Sequence, residues 1–264
     1  MLEAGCEKVG EMPLRIYLTS QVLVEEDGAA VLLDERRLLG RQGRLVFAYL
    51  VGEHLRAVSR DELAEELWLG SLPPSWEKSL RAVISKLRAQ LTSAGISDIA
   101  LSGSFGCYQL LLPADVWIDV EAAIGAIDRA ESALRQDKPQ EAWGWAQVAY
   151  QISRRPFLMG EDGPWVTLKR SELRNVLVRA HECLSEPYIW HKEPASAVKH
   201  AKEAAALEPF RERSYQLLMR AHAAVGNRAE ALRVYERCRR LLSEELGVLP
   251  SPQTEAVYLE ILRS

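Results

Sequence analysis

A basic stripe within residues 75–91 carries the side chains whose chemistry is easiest to interpret. Lys78, Arg81 and Ser85 recur at intervals of three and four residues, which places them on one face of a helix. From such a face, Arg81 can donate two parallel hydrogen bonds to O6 and N7 of a guanine. Lys86 and Arg88 flank the stripe and suit phosphate oxygens, which attract cations of any geometry. The stripe therefore predicts contact with double-stranded DNA in the major groove.

Six further residues complete the set of candidate DNA contacts. They are Ala82, Arg60, Arg41, Arg44, Ser104 and Phe105. The alanine leaves room for close approach to a thymine methyl. The three arginines stand beside the starts of two predicted helices, whose terminal amides help to bind phosphate. The last two residues belong to the tip of a predicted hairpin and are expected near the minor groove.

The elements that must position these side chains begin with strands. Short apolar runs at residues 14–18, 21–24 and 30–33 predict a small antiparallel sheet, with Asp27-Gly28 as a tight hairpin turn. From Gly43 the apolar residues adopt a helical period, which predicts the first helix.

A second helix is predicted from Asp61 to Trp68. Ser59 and Glu62 have the spacing of a capping box, and Val58 and Leu63 stand at the two ends of a hydrophobic staple.

The third helix, at about residues 75–91, should carry the basic stripe on its outer side. Its inner side is predicted to consist of Leu80, Val83, Ile84, Leu87 and Leu91. Two strand-like runs at 99–104 and 107–112 follow, around a glycine-containing tip. Three helices followed by a hairpin are typical of a winged helix-turn-helix, an α+β fold with a small antiparallel sheet.

The second half is predicted to be all α, because strand signals stop at residues 113–115. Small or aromatic residues recur there at spacings of four and then three. They are Ala142, Ala146 and Ala149; Ala197, Ala201 and Ala204; and Ala231, Tyr235 and Cys238. The last two sets are 34 residues apart, the tetratricopeptide period, while a loop at about 155–165 lengthens the first interval. We expect tetratricopeptide-like helical repeats with a concave binding side.

Several motifs resemble one known family. In the first half they are VSRDEL at 58–63, SKLR at 85–88 and GCYQL at 106–110; in the second, PFRER at 209–213, GNRAEAL at 226–232, YERCRR at 235–240 and EELGVLP at 244–250. The first set resembles the OmpR-like winged helix of the SARP-type antibiotic regulatory activators. The second set is similar to their bacterial transcriptional activator domain. The wing departs from the family pattern, because Cys107 separates Gly106 from Tyr108.

This resemblance implies a division into a DNA-binding winged helix at residues 1–112 and a bacterial transcriptional activator domain at residues 116–264. It also implies a transcription activator that binds direct repeats upstream of a promoter and contacts RNA polymerase.

The charge of the chain limits how it can bind DNA. The formal net charge is −4, and residues 1–112 contain 12 basic and 15 acidic side chains, so binding must be local rather than a general coating. If about 4–6 phosphates are neutralised per protomer, one copy binds weakly at cellular salt. We therefore expect a homodimer on DNA, with its protomers on tandem half-sites about one helical turn apart.

The sequence lacks the motifs of catalysis. It contains no G-x-x-x-x-G-K-S/T, H-E-x-x-H or G-x-S-x-G pattern, its five histidines lack metal-site spacing, and its four cysteines are scattered singly. We expect no enzyme activity, no metal and no cofactor. With neither a signal peptide nor about 18 consecutive apolar residues, we expect a cytoplasmic protein without membrane contact.

Two other readings remain open. The chain could be a tetratricopeptide-type adaptor whose winged helix does not bind DNA, and the negative charge of residues 1–112 is the main support for it. A small-molecule effector site near Trp143, Trp145, Trp165 and Trp190 is also open, although packing between helices is the expected role of these rings.

Overall fold

Strands and helices are interspersed up to residue 118, and the described elements beyond it are all helices. The structure, a computed structural model, describes residues 14–26, 30–38, 40–96, 99–190 and 193–263. The predicted turn at Asp27-Gly28 lies outside these ranges. Two compact units are present: the chain up to Glu121 together with Pro156–Arg170, and Ala122–Arg155 together with the chain from Ser171 onward.

The first unit opens with a four-stranded sheet. Its strands are β1 (Leu14–Tyr17), β2 (Leu23–Glu26), β3 (Val31–Asp34) and, from later in the chain, β7 (Trp117–Ile118). Their order is β3-β2-β1-β7, with β1 antiparallel to β2 and parallel to β7. The expectation that strands end before residue 113 was wrong, because a two-residue strand is too short to show an alternating pattern.

The winged helix-turn-helix follows the first three strands. It consists of α1 (Gly40–Gly52), β4 (Val58–Ser59), α2 (Arg60–Trp68), α3 (Trp76–Ser93), β5 (Ala100–Ser104) and β6 (Cys107–Leu111). The strands β4, β6 and β5 form a second sheet in that order. The predicted capping box is present at α2, where the Glu62 amide donates to Ser59 Oγ at 3.1 Å and the Ser59 amide donates to Glu62 Oε2 at 3.0 Å. The predicted winged fold is confirmed.

The apolar side of α3 packs against α1 and α2. Leu80, Ile84, Leu87 and Leu91 are buried, as their spacing predicts, while Val83 is half-buried. Burial of each such side chain stabilises the fold by about 1.5–3 kcal/mol, so rotation of α3 about its axis is strongly opposed.

Residues 156–170 belong to the first unit, although they follow the predicted boundary at 113–115 by some forty residues. The reason is a buried carboxylate, Glu161, which accepts hydrogen bonds at 2.7 Å from both Arg41 and Arg44. Trp165 adds a ring packed on Tyr49, with centroids 4.8 Å apart. The stretch predicted as an irregular loop is thus part of the core of the first unit.

The second unit is all α. Its helices are α4 (Asp119–Arg135), α5 (Pro139–Ser153), α6 (Pro164–Trp190), α7 (Pro194–Leu207), α8 (Glu212–Ala224), α9 (Arg228–Leu246) and α10 (Pro252–Arg263), of which α4 and α6 begin in the first unit. The nine residues of the predicted repeat lie in α5, α7 and α9 and are all buried. The predicted helical repeat is confirmed.

A buried pair of histidines joins α6 and α7 in the second unit. Nδ1 of His181 and Nδ1 of His200 lie 2.9 Å apart in a hydrogen bond, and the Tyr188 ring stacks on His200. Burial, with the charge of Lys199 nearby, lowers the pKa of His181 to about 4 and also lowers that of His200. The folded unit therefore holds both rings neutral at pH 7.

This pair predicts a loss of stability in mild acid. The pKa of His181 is about 6.5 in the unfolded chain and about 4 in the folded chain. At a pH between these two values, the unfolded chain binds a proton that the folded chain excludes. The contribution of the histidine to the free energy of unfolding is therefore fully present at a pH above the unfolded pKa and declines as the pH falls. Thermal unfolding at pH 7.5 and pH 5 should show a lower Tm at pH 5, and a smaller drop in His181→Gln. Equal drops in both proteins would contradict this account.

Candidate nucleic-acid interface

The outer side of α3 presents the basic stripe to solvent. Its predicted contact residues Lys78, Arg81, Ala82, Ser85, Lys86 and Arg88 are all exposed. In the described part of the chain, Lys78 and Lys86 take part in no ion pair. The stripe is therefore available to an anionic partner.

The wing is the hairpin of β5 and β6, and its tip is the dipeptide Phe105-Gly106. Both residues have positive φ, +49° and +76°, which is the pattern of a type I′ hairpin turn. Phe105 is fully exposed, and Ser104 beside it is also exposed. The amide of Arg60 donates to the carbonyl of Gly106 at 3.0 Å, which ties the start of α2 to the wing tip.

An open groove of about 410 Å³ brings the helix and the wing together. Arg81, Ile84 and Arg88 line it from α3, and Ser104 and Phe105 line it from the wing. Four of the predicted contact residues therefore share one concave surface, and two of them are arginines.

Arg88 fixes the distance between α3 and the wing. Its Nε donates to the carbonyl of Leu101 at 3.0 Å. Gly103 makes this approach possible, because a Cβ there would lie 2.8 Å from Nη2 of Arg88. Arg88 thus lines the groove and also links α3 to the hairpin.

Glu77, which the sequence reasoning missed, pairs with Arg81 at the edge of this surface. Its carboxylate lies 3.6 Å from the guanidinium of Arg60 and 3.5 Å from that of Arg81. The signal was present, because glutamate and arginine four residues apart on a helix attract one another. All three side chains are well exposed, so the attraction is weak and a phosphate can compete for either arginine.

Arg41 and Arg44 have a different partner. Their guanidinium groups are held by Glu161, and Arg44 also donates to the carbonyl of Met159 at 3.0 Å. The structure does not place them in the groove between α3 and the wing.

The described residues offer neither a metal site nor a membrane-spanning helix. Within the described ranges, His, Cys, Asp and Glu side chains form no group of three or more that could hold a metal ion. Among the helices of those ranges, none combines the length and apolarity needed to cross a bilayer.

Comparison with known proteins assigns the second half of the chain. Residues 118–262 match the bacterial transcriptional activator domain, more than half of the chain. The chain belongs to this family. The resemblance to SARP-type activators is thereby confirmed. The relatives of this chain are transcriptional regulators.

Relatives align with both halves of the chain. The transcriptional regulatory protein MoaR1 of Mycobacterium tuberculosis is 27% identical over 223 residues, which cover 83% of this chain and 71% of that protein. The regulatory protein AfsR of Streptomyces coelicolor is 30% identical over 84% of this chain but only 22% of its own length.

A solved structure supports the same fold. Mycobacterium tuberculosis EmbR, in complex with a low-affinity phosphopeptide, aligns with a TM-score of 0.79 over 95% of this chain and 65% of that one, at 24% identity. This chain therefore shares its fold, a winged helix followed by helical repeats, with a solved relative.

The position of Glu77 generates a prediction about charge. Replacing it by glutamine releases Arg60 and Arg81 from their ion pairs and removes one negative charge from the surface. Glu77→Gln should bind a random-sequence duplex severalfold more tightly at low salt, with a steeper salt dependence. Fluorescence anisotropy with a labelled 30-base-pair duplex measures both quantities.

Glu65→Gln is the matched control, since it removes the same charge from the exposed side of α2. An equal gain in both variants would show that net charge, rather than the two ion pairs, governs binding.

Proposed function

We propose that the protein is a sequence-specific DNA-binding transcriptional activator whose α3 enters the major groove while the wing lies over the minor groove. The observation that carries this proposal is the groove in which Arg81 and Arg88 of α3 face Ser104 and Phe105 of the wing. Membership in a family whose relatives are transcriptional regulators supports the same function.

The contacts divide by what each side chain can reach. Arg81, Lys78 and Ser85 project from the first three turns of α3 and are proposed to read base edges. Ala82 between them allows close approach of the helix to the bases. Lys86 is proposed to bind phosphate.

The arginines around α3 have different roles. Arg60 is proposed to bind phosphate beside the wing, and Arg88 to do so while holding the hairpin. Arg41 and Arg44 leave the proposed set, because the buried Glu161 holds both at 2.7 Å. The ion pairs of Glu77 are longer and solvent-exposed, so Arg60 and Arg81 remain in it.

Two protomers are proposed to bind together. The five retained cations can neutralise at most about five phosphates per protomer, which corresponds to a log–log salt slope of about −4 to −5. Because the chain has a formal charge of −4, one protomer gains little from long-range attraction. A homodimer on tandem half-sites about one helical turn apart supplies the missing affinity.

The helical unit is proposed to contact RNA polymerase from this DNA-bound position in the cytoplasm, without catalysing a reaction. Helical repeats stack into surfaces that suit protein partners. The alternative of an adaptor without DNA binding leaves the cationic groove unexplained, and it predicts only weak, sequence-independent retardation of DNA that salt abolishes.

Two alanine variants test the proposal. A duplex recovered by the wild-type protein from a random pool is used as the probe in mobility-shift titrations. Arg81→Ala should cost about 1–3 kcal/mol on this duplex and relax the preference at one base pair. Lys86→Ala should weaken selected and random duplexes alike and reduce the salt slope by about 1.

Failure to recover any preferred duplex would exclude sequence-specific binding. Wild-type affinity of Arg81→Ala for the recovered duplex would remove α3 as the reading element.

A further inference from the structure

Phe105 lies at a position where its side chain lowers the stability of the hairpin turn. Its φ of +49° lies in the left-handed region, where a bulky side chain is strained. Its ring is fully exposed, with a relative accessibility of 104%, so it gains nothing from burial in the chain's own core. Asparagine or aspartate before glycine is the usual choice for such a turn. The wing therefore presents an aromatic ring at the expense of its own stability.

The surroundings of the ring indicate the charge of its partner. Arg81 and Arg88 line the same groove. The guanidinium of Arg60 also lies near the tip, since a Cβ on Gly106 would lie 3.9 Å from its Nε. An apolar ring surrounded by cations suits a polyanion that also offers apolar faces. Nucleic acid has both properties, in its phosphates and its stacked bases.

A protein partner fits this tip less well. Protein-binding patches are contiguous apolar surfaces with few charges at their centre. Ile84, Cys107 and Tyr108 also line the described groove. Ile84 is buried and the other two are only partly exposed, so Phe105 is the one fully exposed large apolar side chain among the lining residues. The isolated ring can enter a narrow cleft but cannot form such a patch.

We propose that Phe105 is a wedge that inserts between two base pairs from the minor groove, partly unstacks them and bends the duplex. This inference rests on the proposed function and adds a source of specificity to it. Pyrimidine–purine steps such as TA and CA unstack most easily, and apolar side chains in the minor groove kink DNA in this way. Phe105 would thus select a flexible step without a hydrogen bond to any base.

The test uses two substitutions, one that relieves the strained turn and removes the ring, and one that keeps an apolar side chain at the tip. Phe105→Asn gives the tip the Asn-Gly pair that this turn favours, so the variant should unfold at a higher temperature than the wild type. It should nevertheless bind the selected duplex about tenfold more weakly, because the stacking contact is lost. Phe105→Leu keeps an apolar wedge and should retain most of the affinity.

Two spectroscopic measurements distinguish a wedge from a simple contact. Energy transfer between dyes at the two ends of the selected duplex reports bending, and 2-aminopurine placed at successive steps reports unstacking. The wild-type chain should increase both signals at one step per half-site. Phe105→Asn should lose both, whereas Phe105→Leu should keep them.

Three outcomes would overturn the proposal. If Phe105→Asn bends and unstacks the duplex as the wild type does, the wedge is wrong and the proposed function stands. If Phe105→Asn and Phe105→Leu lose affinity equally with no change in either signal, the ring is a surface contact only. If the wild type selects no duplex at all, the proposed function fails and the wedge fails with it.

Discussion

The packing of Leu80, Ile84 and Leu87 into the interior of the first unit fixes the rotation of α3 about its axis. At 100° per residue, burying this row leaves only the opposite row for contact with a partner. The presentation of Arg81 and its neighbours is therefore a consequence of hydrophobic burial rather than of attraction between charges. Because the same burial places α3 beside the wing, the groove between them depends on it too.

A second constraint on the first unit comes from residues 156–170, which follow the winged helix in the sequence. Glu161 holds Arg41 and Arg44, while Trp165 donates from its amide to Glu66 at 2.7 Å and from its ring to Glu53 at 3.0 Å. A buried carboxylate is stable only when its oxygens have such partners. The core of the first unit is thus completed by a segment that follows α5, and the chain passes between the two units three times.

Much of this architecture could be predicted from local signals. The capping box of Ser59 and Glu62, the apolar row of α3 and the 34-residue repeat each lie within a short window and follow a fixed period. The wing followed from two strand-like runs around a glycine. These features are specified by residues close together in the sequence. The structure places them at the positions that the helical and 34-residue periods predict.

The remaining features depend on distant partners or on backbone angles. Strand β7 exists because Trp117 and Ile118 pair with β1, a hundred residues earlier. Glu161 has the sequence environment of a loop residue, and only the fold brings arginines to it. The positive φ of Phe105 leaves no trace in periodicity, although a phenylalanine before glycine at a hairpin tip is an unusual choice. The contact of Glu77 with Arg81 could be predicted from helix-pair rules, whereas its contact with Arg60 depends on the fold.

The most direct test of this account asks whether the outer side of α3 lies in the major groove. An iron chelate that cleaves nearby DNA can be attached at Ala89→Cys, an exposed position of α3 outside the proposed contact set, in a protein whose Cys6 and Cys107 are replaced by serine. On the selected duplex, the account predicts two clusters of major-groove cleavage about one helical turn apart, one for each half-site. Cleavage spread evenly along the duplex, or none at all under conditions of full binding, would contradict it.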